Sequence, residues 1–127
     1  MNRKILFLLL FVSLFSMVYG QYPSSNGADN IENWIQQVQL ESINNYTYEE
    51  AGGYTDYTSG HIATLYPGAT ADLVVDVVGN GSIYVTAWFD WNQDNDFDDL
   101  DEEIDVVSGA TSGGQYMIVV NIPSGIS

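Results

Sequence analysis

The chain has 127 residues, of which 17 are acidic and only two are lysine or arginine, so its formal net charge at pH 7 is −15. A surface of this charge repels nucleic acids and anionic lipids and attracts cations. The absence of cysteine also excludes disulfide bonds, thiolate metal sites and cysteine nucleophiles. We therefore exclude nucleic acid as a partner and expect one domain without covalent cross-links.

Residues 1–20 have the features of a secretory signal peptide. Two basic residues, Arg3 and Lys4, precede an apolar stretch over 5–18, and the segment ends in a small residue. The apolar stretch is short for a membrane-spanning helix and has no basic flank on its far side. We expect cleavage before Gln21, no membrane attachment afterwards, and a secreted, extracellular or cell-surface location. The mature chain then contains no lysine or arginine.

The remaining chain divides into a lead-in over 21–33, which is rich in turn-forming residues, and one domain over 34–127. We expect the lead-in to be flexible. At the start of the domain, helical spacing connects Trp34 and Val38, but strand alternation connects Trp34, Val38 and Leu40. Spacing alone leaves both alternatives open.

Residues 44–60 are dense in tyrosine, glycine and acidic residues, and we expect a long exposed loop. Its aromatic rings could stack on sugar rings while its carboxylates accept hydrogen bonds from hydroxyl groups. The alternative, which we favour, is that the rings cover the edge of the β-structure. The candidate glycan contacts are Tyr46, Tyr54, Tyr57 and, from a later part of the chain, Trp91.

Short runs of alternating apolar residues follow this loop and indicate β-strands. We predict strands over 61–66 and 70–78, joined by a turn at Pro67-Gly68, and further strands over 83–89, 103–108 and 116–122. Glycine-rich stretches between the later strands are predicted to be turns. The inward-facing residues are predicted to be Ala71, Leu73, Val75, Val77, Ile83, Val85, Ala87 and Phe89. This pattern predicts an all-β fold, an antiparallel β-sandwich of the immunoglobulin-like or jelly-roll-like kind.

The most informative stretch lies between the third and fourth of these runs. Nine of the 17 acidic residues fall between Asp90 and Asp105, and such crowding needs a cation, salt or water to offset the repulsion. Oxygen-bearing side chains at alternate positions of a curled loop are the ligands that calcium prefers. We predict a calcium site formed by Asp90, Asn92, Asp94, Asp96 and Glu102, with Asp98 and Asp101 as second-choice ligands.

Two positions depart from the usual pattern of a calcium loop. Asn95 stands where glycine normally makes the sharp turn, but asparagine tolerates positive φ better than other non-glycine residues. Asp101 stands where a bidentate glutamate closes the cage, and the adjacent Glu102 has the longer side chain. The alternative is an acidic surface loop that stays solvated without a metal.

The residues needed for catalysis are sparse. His61 is the only histidine, and the nucleophile motif Gly-x-Ser-x-Gly does not occur. Carboxylate pairs suited to glycoside hydrolysis are abundant, but they cluster in a metal-loop spacing, where calcium would hold them ionised. We therefore expect that the protein is not an enzyme.

The string Trp-Phe-Asp-Trp-Asn-Gln-Asp-Asn-Asp-Phe-Asp-Asp over 88–99, followed by Glu102, resembles the central motif of the GEVED domain family. Weaker matches extend the resemblance over about 34–127. The family occurs in exported, often multidomain, proteins of Bacteroidetes-type bacteria. The resemblance implies a strand over about 35–43 and a β-sandwich. The name-giving Gly-Glu-Val-Glu-Asp stretch, near the end of the family's domain, is not present, which implies a domain incomplete at its C-terminal end.

These observations together predict a secreted, non-catalytic accessory or adhesion module that carries a structural calcium site and forms part of a larger exported protein. The expected partners are calcium and a cell-surface glycan or protein. One alternative is a carbohydrate-binding module that uses the loop tyrosines. The other is a truncated fragment without a function of its own.

Overall fold

The structure is a computed structural model that describes residue 22 and residues 33–49 and 53–126. The four strands in these residues are β1 (Trp34–Leu40), β2 (Ile43–Tyr46), β3 (Thr70–Trp88) and β4 (Glu103–Asn121). They form one antiparallel sheet in the order β2-β1-β3-β4. The predicted all-β, antiparallel class is therefore confirmed. The described residues contain no helix that is long and apolar enough to cross a membrane, and the predicted signal peptide lies outside them.

A tight hairpin begins the described sheet. β1 is a strand, so the helical alternative for this segment is wrong, and the turn at Glu41 and Ser42 leads directly into β2. Glu41 adopts a positive φ of 50° in this turn, as a two-residue hairpin requires. Residues 43–46, predicted as the end of a strand and the start of a loop, are a paired strand.

The strands β3 and β4 are long and form a continuous ribbon. The glycine-rich stretches predicted as turns within them are β-bulges, because the pairing continues across them with register shifts between Val77 and Thr86. Gly113 shows why glycine is required here: an added Cβ would lie 2.4 Å from the carbonyl oxygen of Val77. The predicted strand over 61–66 is wrong, since these residues have no regular structure before the turn at Pro67-Gly68.

The ribbon folds back on itself. Ile104 and Ile118 are fourteen residues apart on β4 and line the same groove, whereas a straight strand would separate them by about 46 Å. Residues from both halves of β3 also share one hydrophobic core. The single sheet is therefore strongly bent along this ribbon.

The alternation predicted for β3 is confirmed. Ala71, Leu73, Val75 and Val77 are 3–5% exposed, and Ile83 and Val85 are buried as well. Ala87 and Phe89 are half-buried, while Tyr84 and Trp88 are exposed on the opposite face. Burial of these apolar side chains at about 25 cal/mol per Å² is the main source of stability available to a chain without disulfide bonds. The same core extends to Trp91 at the base of the acidic loop.

Candidate functional site

The acidic loop connects β3 to β4 and is closed at its base by the sheet itself. Trp88 pairs with Glu103 in the ladder. One step further, the Phe89 N–H donates to the Glu102 carbonyl oxygen at 2.9 Å. The loop therefore starts from a fixed pair of backbone positions at the end of a long ribbon.

Trp91 anchors the base of the loop in the core. It is 8% exposed, and its ring stacks on Phe89 with centroids 4.7 Å apart. Its indole Nε1–H donates to the Asp101 carbonyl oxygen at 2.9 Å. Trp91 is therefore a buried anchor in the described conformation, and little of its ring is open to a sugar, which does not favour its predicted role as a glycan contact.

Glu102 is the most deeply buried charged residue described, with 1% of its surface exposed. Its Oε1 accepts a 2.8 Å hydrogen bond from the Trp91 N–H. Its Oε2 is buried and has no hydrogen-bond partner among the described residues. A buried carboxylate oxygen without a donor or a cation is costly. Of all the predicted ligands, Glu102 is the one whose surroundings call for a further partner.

Asp90 organises the first turn of the loop. Its carboxylate accepts the N–H groups of Asp94 at 3.2 Å and Asn95 at 3.1 Å, and the Tyr22 hydroxyl at 2.7 Å. Burial raises the pKa of Asp90, but the hydrogen bonds from Tyr22 and from the N–H groups of Asn95, Gln93 and Asp94 outweigh it and hold the pKa below its ordinary value. Asp90 is therefore held as a carboxylate.

The tip of the loop curls through a repeated local hydrogen bond. Side-chain oxygens of Asn92, Asp94 and Asp96 each accept the N–H of the residue two positions later, at 3.0–3.2 Å. Such turns are typical of Asx residues. Asn95 has a φ of 72°, as expected for the residue in the glycine position of the pattern. The alternate spacing of oxygen-bearing side chains thus produces the curled loop that the sequence predicts.

The structure brings some of the predicted ligands close together and leaves others apart. The Asn92 Nδ2 donates to Asp94 at 2.9 Å and to Asp99 at 2.5 Å. Asp98 and Asp101 are exposed, and Asp96 is half-buried. Within residues 22, 33–49 and 53–126, no three histidine, aspartate or glutamate side chains are arranged to hold a metal ion. The described conformation is a curled acidic loop rather than a formed cage.

Two residues of this site, Tyr22 and Asp99, were not predicted from the sequence. Tyr22 stacks on Phe97 with ring centroids 5.1 Å apart and donates its hydroxyl to Asp90. The hydrogen bond to Asp90, burial, and the charges of Asp90, Asp94 and Glu102 raise the pKa of Tyr22. Asp99 accepts from Asn92. Phe97, an aromatic residue within an acidic run, was the available signal for an aromatic partner.

The tyrosines predicted as glycan contacts do not share one environment. Tyr46 and Tyr54 are 58% and 51% exposed. Tyr57 is half-buried, and its ring meets the His61 ring edge-on, with the two ring centroids 5.8 Å apart. The His61 Nδ1 is buried and has no hydrogen-bond partner among the residues that the structure describes. Only Tyr46 and Tyr54 of the predicted set present a largely open ring.

The fold and the loop define an all-β protein with an acidic loop between two long antiparallel strands. The family model of the GEVED domain matches residues 84–127, a segment that contains the end of β3, the whole acidic loop and β4. The resemblance inferred from the acidic motif is thereby confirmed over this segment. No curated protein and no solved structure shows a significant match to the chain.

Proposed function

We propose that this protein is an exported, non-catalytic accessory module whose acidic loop binds one calcium ion. The observation that carries the proposal is the buried Glu102 carboxylate at the base of a loop rich in further carboxylates; one of its oxygens has no hydrogen-bond partner in the part of the chain that the structure describes. The proposed ligands are Asp90, Asn92, Asp94, Asp96 and Glu102, with Asp98 and Asp101 as substitutes.

The donor set suits a hard cation such as calcium better than it suits zinc. All the candidate ligands are oxygens of carboxylates or amides, which hard cations prefer. Zinc would require nitrogen or sulfur ligands, and the chain has one histidine and no cysteine. No lysine or arginine follows residue 4, so the described residues contain neither of these side chains to neutralise the loop. A divalent cation is the simplest source of the missing positive charge.

Calcium binding is compatible with the local hydrogen bonds but requires the loop to tighten. A carboxylate has about four lone-pair positions and can accept an N–H while it binds a metal. Asp96 uses its Oδ1 for the Asp98 N–H, which leaves Oδ2 for a ligand role. Since the described carboxylates do not converge, we expect calcium to draw Asp94 and Asp96 toward Asp90 and Glu102. The bound ion would then fix the loop at the end of the ribbon.

The wider role rests on three lines of support. The signal-peptide features predict export, the acidic motif and the family match connect the chain to GEVED domains, and the chain lacks the residue sets of known catalytic motifs. We infer an adhesion or attachment role within a larger exported protein. A cell-surface glycan or protein is the expected partner.

Thermal unfolding in EDTA and in calcium tests the metal site. A ligand at ten times its dissociation constant adds about 1.4 kcal/mol to folding stability, and extracellular calcium sites have dissociation constants of about 10⁻⁴–10⁻³ M. We expect millimolar calcium to raise the midpoint by several degrees, and we expect Asp94→Asn and Glu102→Gln to abolish the rise. Asp72→Asn, on β3 outside the loop, removes the same charge, and this variant should keep the calcium-dependent rise of the midpoint. An unfolding midpoint that does not change with calcium contradicts the proposal. The absence of any unfolding transition would support the alternative of a truncated fragment.

Exposed tyrosines favour carbohydrate binding as a second candidate function. Tyr46, Tyr48 and Tyr54 are 51–80% exposed, and open aromatic rings stack readily on sugars. Glycan-array binding that is lost in Tyr46→Ala and Tyr54→Ala, but survives EDTA, would establish this function. Glycan binding that requires calcium and survives both substitutions would place the contact at the acidic loop instead.

A further inference from the structure

The outer edge of β4 borders a groove that is lined by both apolar and acidic residues. In the part of the chain that the structure describes, β4 pairs only with β3, so its other edge has no strand beside it. The groove has a volume of about 520 Å³ and lies between the first and last residues of the folded strand. Its apolar lining residues are Ile104, Ile118, Val119, Ile122 and Pro123, and its acidic residues are Asp101, Glu103 and Asp105.

Among the described residues, the acidic residues of this groove have no lysine or arginine partner. Glu103 accepts a hydrogen bond from Trp88 Nε1 at 3.3 Å, and Asp105 accepts one from Thr86 Oγ1 at 3.0 Å. Both donors are neutral, and both carboxylates belong to exposed residues. No lysine or arginine occurs after residue 4. The groove therefore combines unpaired strand edge, buried isoleucine and uncompensated negative charge.

We propose that the β4 edge binds an extended segment of a partner protein in which apolar and basic residues alternate. A strand added to this edge would form backbone hydrogen bonds with β4 and would send successive side chains to opposite faces. One set would contact Ile104 and Ile118 in the groove. The other set would lie beside Glu103 and Asp105, where lysine or arginine finds opposite charge.

Charge disfavours a second copy of this chain as the occupant. An antiparallel pair of β4 edges centred on Ile104 would bring Glu103 of one copy beside Asp105 of the other, and like charges on neighbouring strands destabilise a sheet. Each copy also carries a net charge of −15. A cationic segment is attracted by the same field. The proposal does not depend on the calcium site, because neither Glu103 nor Asp105 is a proposed metal ligand.

Fluorescence anisotropy with a labelled peptide tests the proposal. The probe is a strand of about ten residues that alternates lysine and valine, measured in EDTA so that calcium plays no part. We expect binding, and we expect Glu103→Gln with Asp105→Asn to weaken it by roughly 2- to 30-fold, as two partly exposed ion pairs allow. The matched control is Asp72→Asn with Asp76→Asn, which removes the same charge from β3 and should leave the affinity within about twofold.

Two further peptides separate strand addition from simple charge attraction. The same sequence with alternate backbone amides methylated keeps its charge but cannot complete the ladder, and we expect it not to bind. A glutamate–valine peptide should not bind either. Equal weakening by both double variants, or equal binding of the methylated peptide, would overturn the proposal. A protein that dimerises through this edge and excludes the peptide would overturn it in favour of a second copy.

Discussion

The base and the tip of the acidic loop are stabilised in different ways. At the base, Trp91 and Glu102 are buried, and the hydrogen bonds of Trp91 reach residues ten and eleven positions away. At the tip, the repeated hydrogen bonds connect residues two positions apart. The base therefore depends on the packing of the sheet, whereas water can replace the local bonds of the tip. We expect a cation to change the tip and to leave the base unchanged.

The largest effect should come from removing the anchor at the base. Trp91→Ala deletes a buried ring that stacks on Phe89, and such truncations cost about 3–5 kcal/mol. Trp88→Ala is the matched control, because its ring is 51% exposed, and we expect a loss of about 1 kcal/mol or less. The free energy of unfolding in urea, compared with that of the parent, gives the loss of stability in both variants. Equal losses would show that the base is no more firmly packed than the surface.

The next effect separates the role of Glu102 in packing from its role in binding. Glu102→Gln keeps an oxygen that can accept the Trp91 N–H but removes the buried charge. In EDTA we expect the variant to be as stable as the parent, or more stable, because an unpartnered buried carboxylate is costly. In calcium the parent alone should gain about 1.4 kcal/mol at ten times the dissociation constant. Calorimetry in the two buffers measures this difference.

A loss of stability in both buffers would contradict that expectation. It would mean that the Glu102 carboxylate acts through hydrogen bonds within the loop base and not through a cation. Asp98→Asn provides a control with the same change of charge at an exposed position of the loop. We expect it to alter calcium affinity less than Glu102→Gln does.

Sequence patterns predicted the core of β3 and the turn at Asn95 better than the connections between strands. The alternation of Ala71, Leu73, Val75 and Val77 predicted the core because side-chain direction in a strand follows a period of two. The positive φ of Asn95 followed from its place in the motif. The glycines of β3 and β4 were misread as turns, because a glycine that permits a bulge looks the same in sequence as one that permits a turn.

The contact between Tyr22 and Asp90 could not be predicted, since it joins residues 68 positions apart in the chain. The sequence also could not show that Glu102 is buried while its neighbours Asp101 and Glu103 are exposed, because all three belong to the same acidic run. Trp91 was assigned to the surface for a similar reason: an aromatic residue beside carboxylates suits both a binding face and a core anchor. Tertiary packing decided each of these cases.

The pH dependence of stability tests the first turn of the tip. The pKa of Asp90 is held below its ordinary value of 3.8, so Asp90 contributes stability above that pH, and the contribution is lost as pH falls through the lowered pKa. Asp90→Asn in EDTA should therefore be less stable than the parent near neutral pH, and the difference should shrink in acid. Unfolding midpoints of the parent and of Asp90→Asn, measured between about pH 7 and pH 3, report this difference in stability. A constant difference would show that Asp90 acts without its charge.

The smallest effect should come from the hydroxyl of Tyr22. Tyr22→Phe keeps a ring that can stack on Phe97 and removes only the donor to Asp90. Because Tyr22 is 49% exposed, water can take over the hydrogen bond, and we expect a loss near the lower end of about 0.5–1.5 kcal/mol. Tyr22→Ala removes the stacking as well and should cost more. If calcium binding to Tyr22→Phe is tighter than to the parent, the hydroxyl competes with the ion for Asp90. If it is weaker, the hydroxyl holds Asp90 in the position that the ion requires.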